Sequence, residues 1–202
     1  AFATSALREA KNGAAIINEI NAKYEIDLQV LNGDDEASMT FLAVRRWLGW
    51  SAGKLLVLDI GGGSLEIASG IDELPDATLS LPLGAARSTR EFLGPDPYTS
   101  KGVRNLEKHA AEMLATKIPE ALRSHDANHF VATSKTFRTL ARICAHWYGD
   151  NQKFLERKSL ETAVPKLIAM SSKARAELPG VSANRAQQIV AGGIVALAVM
   201  DS

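Results

Sequence analysis

Cysteine is nearly absent from this 202-residue chain: Cys144 is the one thiol. That excludes an internal disulfide and a multi-cysteine zinc site, and fits a reducing compartment. A charge excess is absent as well, since Lys+Arg 23 balances Asp+Glu 23 for a formal net charge of +0. A dedicated nucleic-acid binder carries a basic excess, so no specific nucleic-acid partner is expected; a balanced total is compatible with a local basic cleft for a phosphorylated substrate. The longest apolar run, residues 189–200, is short of the ~20 residues that a membrane span needs. The N-terminus (AFATSALREA) lacks the charged-then-apolar design of a signal peptide, so a soluble, cytoplasmic protein with no membrane partner is expected. Metal-ligand spacing is missing from the four histidines, His109, His125, His129 and His146, and no repeat or low-complexity segment is present. There is no initiator Met, and the last residues follow directly on an apolar segment. The expectation is a piece of a longer protein.

What is present is ordinary globular material. Hydrophobic residues make up 46% and charged residues 23%, enough for one large domain or two small ones. Leu7, Ala10, Ala14, Ile17 and Ile20 recur at helical spacing, which predicts one helix over residues 6–23 with Ser5 as its cap. Residues 26–31 read as a strand, Asn32-Gly33 as a turn. Asp34-Asp35-Glu36 then opens a second helix, its acids suited to a helix N-terminus, with Met39, Leu42, Ala43, Arg46 and Trp47 along it. Trp47 and Trp50, three apart, are expected to pack. Residues 54–60 form an apolar run typical of a strand buried on both faces. Residues 64–69 return as its hairpin partner, and residues 78–82 make a third strand. A long helix over 103–122 is expected, kinked at Pro119. A strand over 129–132 comes next, then a helix capped by Thr133-Ser134 and running to Trp147. Another helix starts at Ser159 and is interrupted by Pro165, and a last one, apolar nearly all round, covers 184–200. Cys144, among apolar neighbours, is expected in the core. The pattern is α/β: a mixed sheet with covering helices.

The chemistry concentrates in Leu58-Asp59-Ile60-Gly61-Gly62-Gly63-Ser64-Leu65-Glu66. A buried strand delivers the carboxylate of Asp59 at its end. Three glycines then let backbone N–H groups approach an anion with no Cβ in the way. Ser64 adds a hydroxyl, and Glu66 a second carboxylate on the same strand face. An acid beside a phosphate cradle is the arrangement in which a divalent cation bridges protein and phosphate oxygens.

This segment resembles the second phosphate-binding loop, D-I-G-G-G-S-x-E, of the exopolyphosphatase / guanosine pentaphosphate phosphohydrolase family in the actin-like ATPase and sugar-kinase superfamily. Further stretches resemble the family in order. They are Ala3-Thr4 through Arg8, Ala10 and Asn12 (A-T-x-x-x-R-x-A-x-N), then Gly33 to Ala37 (G-x-E-E-A, with Asp35 for the first acid), then Pro82-Leu83-Gly84-Ala85-Ala86-Arg87 (P-x-G-x-x-R). Arg185-Ala186 with Gly192 echoes its late helix (R-A-x-x-x-x-x-G). The fold so implied is an actin-like (ribonuclease H-like) mixed sheet with covering helices plus the remnant of a preceding lobe. Residues 1–50 would be that lobe and its connecting helix, and residues 51–202 the second actin-like domain.

The resemblance implies roles. Glu36 would orient or activate the attacking water and Arg8 would serve in the cleft, with Asn12 a weaker candidate. Gly61, Gly62, Gly63 and Ser64 would form the phosphate cradle, and Asp59 and Glu66 would attend the metal, Mg2+ (or Mn2+). The reaction implied is release of terminal phosphate from inorganic polyphosphate, or of the 5′-γ-phosphate of guanosine pentaphosphate, by metal-assisted water attack. The alternative is a non-catalytic ATP- or phosphate-binding regulatory module of the same superfamily. Two departures stand out. The family's first phosphate loop (Asp-x-Gly-Ser-x-Ser) is not in this sequence, and Lys135 stands in the first helical turn after residues 129–132, where a cation opposes the helix dipole. With Arg138 and Arg142 on the same helix face, Lys135 is either a phosphate-binding residue for an anionic chain or part of a solvated basic face. A sheet edge left open near Ala1 would favour a homodimer.

Overall fold

The computed structural model describes residues 1–124 and 126–202; the reading of His125 falls outside them. Elements follow in chain order: β1 (Phe2–Ala3), α1 (Ser5–Arg8), α2 (Gly13–Tyr24), β2 (Gln29–Val30), α3 (Gly33–Leu48), β3 (Leu55–Ile60), β4 (Leu65–Gly70), β5 (Ala77–Leu81) and α4 (Ala85–Ser88). Then come α5 (Ser100–Lys117), α6 (Glu120–Arg123), β6 (His129–Ala132), α7 (Ser134–Tyr148), α8 (Arg157–Ala169), α9 (Ser172–Ala176) and α10 (Gln188–Met200). Strands β1 and β2 pair in parallel, and the main sheet has the order β5-β4-β3-β6. Within it β3 runs antiparallel to β4 and parallel to β6. The architecture is the expected α/β mixed sheet.

Side chains alternate across a strand, and that divides the core in two. Leu55 and Val57 of β3 and Ala68 of β4 face α3, meeting Ala37, Phe41 and Val44. Leu56, Ile60, Leu65 and Ile67 face the other way into the larger core of α5, α7, α8 and α10. Helix α10 is buried on nearly all sides, as its composition predicts. It packs against α4, α5, α7 and α8. A Cβ on Gly192 would lie 2.5 Å from the Thr136 methyl, so only glycine admits α7 so closely. Among the described residues, no helix is long and apolar enough to cross a membrane.

Four expectations need correction. The first helix is two, α1 and α2, because the chain turns between Glu9 and Asn12 and Gly13 packs on the Leu7 carbonyl, where a Cβ would lie 2.2 Å away. The long helix stops at Lys117 and restarts at Glu120; Ile118 is extended, as the residue before a proline tends to be. Pro165 does not interrupt α8, since it sits on the exposed side, where water can reach the carbonyl that loses its donor. Trp47 and Trp50 do not pack in the core: they are 88% and 60% exposed. The stripe that α3 buries is Ala37, Phe41, Val44 and Arg45, out of phase with the one that Met39, Leu42 and Trp47 suggest. Arg45 can be buried (1% exposed) because its guanidinium donates to the carbonyls of Gly53 and Gly70 at 2.6 and 3.2 Å.

Candidate active site

Three carboxylates meet at one end of the sheet. Asp59 and Glu66 are directly opposed on β3 and β4, and Ser80 lies opposite Glu66 on β5. Register and alternation therefore put Asp59, Glu66 and Ser80 on the face that α3 covers. Helix α3 is fixed there by its first turn: the Asn32 side chain accepts from Asp35 N–H at 2.8 Å, and Thr78 Oγ1 donates to Asp34 at 3.1 Å. A Cβ on Gly33 would touch Ser80 at 2.4 Å. Glu36, one turn into the helix, is thereby brought over the end of the hairpin. Arg8, the last residue of α1, donates to the Leu31 carbonyl at 2.6 Å and reaches Glu36 at 3.5 Å.

The electrostatics follow from this crowding. Burial raises the pKa of Glu36; Arg8 opposes the rise and Asp59 adds to it. Burial likewise raises Asp59, against a hydrogen bond from Thr133 and the positive charge of Arg138. Glu66, 3% exposed, is pushed up to about 7, first by burial and then by Glu36 and Asp59; Ser64 and Ser80 pull the other way. Ser80 donates to Glu66 at 3.0 Å.

Beside the acids lies the glycine turn, and its polar groups are sorted. The carbonyls face inward: Gly61 accepts from Ala85 N–H at 2.9 Å, and Gly62 from Ala86 and Arg87 N–H at 2.9 and 3.0 Å. Gly63 accepts from Arg87 Nε at 2.9 Å. The N–H groups of Gly62, Gly63 and Ser64 have no acceptor among the described residues. Ser64 Oγ, in a residue 3% exposed, makes no hydrogen bond of normal geometry, although it lies close enough to Glu66 to lower its pKa. Free donors and an orphaned hydroxyl are what an anion would satisfy. Gly84 allows the support to come so near, since its Cβ would lie 2.3 Å from Ser64 N.

The structure thus brings together Arg8, Glu36, Asp59, Gly61, Gly62, Gly63, Ser64 and Glu66. Asn12, outside α1 and α2, is exposed and makes no cap hydrogen bond. Lys135 is exposed on the first turn of α7, whose start is tied to β3 by Thr133 on Asp59 and by Thr136 Oγ1 on the Ile60 carbonyl at 2.9 Å. The expected Thr133-Ser134 cap is only half present. Thr133 spends its hydroxyl on Asp59 and does not cap α7, while Ser134 takes a left-handed φ of 66°. Sequence reasoning gave no part in the site to Arg87, Thr133 or Ser80. Of these only Arg87 left a signal, as the end of the quoted P-x-G-x-x-R stretch. Cys144 is buried, its thiol pushed up to about 11, and His109 stacks on Phe92 with ring centroids 4.7 Å apart.

Comparison with known proteins agrees with this geometry. The whole chain, residues 1–202, matches the Ppx/GppA phosphatase family. It belongs to that family. Exopolyphosphatase 1 of Mycobacterium tuberculosis is 48% identical over 204 residues, and that of Mycobacterium leprae 46%. The chain spans 59% and 60% of the length of these curated relatives, while 99% of it is covered in each match. A solved Ppx/GppA family member from Aquifex aeolicus superposes with a TM-score of 0.79 at 25% identity, covering 99% of this chain and 65% of the other. An exopolyphosphatase from Cytophaga hutchinsonii superposes at 0.81 and 23% identity, covering 99% and 66%. The actin-like α/β fold expected from the sequence is the fold of this family.

Proposed function

We propose that this chain carries the catalytic cleft of an exopolyphosphatase-type phosphohydrolase. The observation that carries this reading is the sorted turn: carbonyls of Gly61, Gly62 and Gly63 bonded inward and following N–H groups left free, beside three crowded carboxylates. The terminal phosphoryl group of polyphosphate would sit on the N–H groups of Gly62, Gly63 and Ser64, with the Ser64 hydroxyl as a fourth donor. Glu36 would hold the attacking water and take its proton, a task that its raised pKa suits. Arg8, already bonded to Glu36, would keep that carboxylate aimed and offer its remaining N–H groups to the phosphoryl oxygens. As water oxygen bonds to phosphorus, the bridging P–O bond breaks. Inorganic phosphate and a chain one unit shorter are released.

A divalent cation fits the donor chemistry. Among the described residues, no group of three or more His, Cys, Asp and Glu converges to cage a metal. Mg2+ needs no such cage, because it takes one or two carboxylates and completes its shell with water and phosphate oxygens. Asp59, partly buried, would hold Mg2+ (or Mn2+) directly, and the more deeply buried Glu66 would bear on it from behind. When bound, the ion supplies charge neutralisation at the transferred group. Lys135 and Arg138, in the first two turns of α7, would receive the rest of an anionic chain. The 5′ end of guanosine pentaphosphate presents the same terminal chemistry and is the second substrate proposed.

Phosphate release from long-chain polyphosphate, guanosine pentaphosphate and ATP, measured side by side on the full-length protein with Mg2+, tests this. Release from polyphosphate well above release from ATP is expected. ATP binding with no release from any of the three would instead assign the cleft to a non-catalytic regulatory module.

A further inference from the structure

We infer that Arg87 is the positioning residue of the phosphate loop, the side chain that keeps the Ser64 N–H turned toward the bound anion. This rests on the phosphate-cradle reading of residues 61–64. In a planar trans peptide the C=O and the following N–H point in opposite directions, so fixing a carbonyl aims the next amide. The Gly61 and Gly62 carbonyls are fixed by main-chain donors, the N–H groups of Ala85, Ala86 and Arg87. The Gly63 carbonyl is different: the donor it receives is a side chain, Arg87 Nε at 2.9 Å. Glycine peptides rotate with little steric cost. Without that donor, the Gly63 carbonyl loses the hydrogen bond that opposes its turning toward the anion, with the Ser64 N–H turning away.

The guanidinium is held on its other edge. Arg87 pairs with Glu9 and reaches Glu91 at 3.5 Å, with its side chain 20% exposed. Glu9 directly follows Arg8, which reaches Leu31 and Glu36. Neighbouring residues at the end of α1 therefore grip the two halves of the cleft, Arg8 the acid side and Glu9, through Arg87, the cradle. Lysine could keep the charge but not the planar fork that serves Gly63 and Glu9 at once.

The test is an amide-resolved NMR titration of the full-length protein with inorganic phosphate. In the wild type the Gly62, Gly63 and Ser64 amides are all expected to shift. In Arg87→Met, Gly62 and Gly63 should still shift, Ser64 should lose its response, and phosphate affinity should fall about tenfold, the loss of one hydrogen bond to a charged group. Arg87→Lys should fail to restore the Ser64 response, which separates orientation from charge. If Arg87→Met does not fold, Arg87→Lys and Glu9→Gln decide the matter, both with a weakened Ser64 shift expected. A Ser64 response equal to wild type in the folded variants overturns the assignment of Arg87. Wild-type amides that ignore phosphate would overturn the cradle reading itself, a separate and recognisable failure.

Discussion

Glu66 stands opposite Asp59 with its carboxyl pushed up to about 7 from 4.5, and this has a consequence for stability. Between those pH values the folded chain keeps a proton that the unfolded chain gives up. The stability contributed by this group is therefore fully present below about 4.5 and lost as the pH rises through about 7. At full extent the shift corresponds to roughly 3 kcal/mol. Glu66→Gln is expected to melt above wild type at pH 8, the gap closing toward pH 4.5; a gap constant across that range would contradict the buried titration. Asp59→Asn should behave differently. Asparagine can still accept the Thr133 hydroxyl, so melting should move little while turnover of the full-length protein falls by about a hundredfold or more with altered metal dependence. Wild-type turnover would remove Asp59 from the site. The sequence showed both acids, since a carboxylate at the end of an apolar run is conspicuous. It did not show that they face one another, because register across a hairpin is set by the turn and the partner strand together.

At the scale of elements, α4 and the stretch before it act as the mould of the glycine turn, and Gly84 is the point of nearest approach. Gly84→Ala would force a Cβ to within 2.3 Å of Ser64 N. A loss of about 1–3 kcal/mol by thermal or denaturant unfolding is expected, together with weakened phosphate binding. Undiminished stability and binding would show that the loop does not depend on this contact. Strands β3 and β6 were legible because short apolar runs ending in turns admit few readings. Helix α3 was legible as a helix but not in its rotation. Its apolar residues fall on two competing stripes, and the buried one includes Arg45, whose charge is solvated by distant carbonyls of Gly53 and Gly70 that no local pattern announces. The division of the first helix at Glu9–Asn12 was hidden for a similar reason, as Gly13 owes its place to contact with the Leu7 carbonyl.

Across the whole molecule, one cleft is assembled by separate parts of the chain: α1 and α3 bring Arg8 and Glu36, the β3–β4 hairpin brings the glycine turn and two acids, and the entry to α7 brings Thr133 and Arg138. Family resemblance made that convergence readable; composition and periodicity alone did not. The chain spans 59% of the length of Exopolyphosphatase 1 of Mycobacterium tuberculosis, and the proposed cradle would meet an anion from one side. The 202-residue chain by itself is therefore expected to fold, yet to hydrolyse polyphosphate far more slowly than the full-length protein, because alignment alone can account for roughly 7–11 kcal/mol of a barrier. Equal specific activities of the two would contradict that reasoning. The most direct measurement of the account is steady-state phosphate release from long-chain polyphosphate by full-length wild type and its Glu36→Gln variant. If Glu36 holds and deprotonates the attacking water, kcat falls by about 10²–10⁴ while KM stays near wild type. An unchanged kcat, with or without a shift in KM, would contradict the assignment of Glu36 and with it the hydrolytic reading of the cleft.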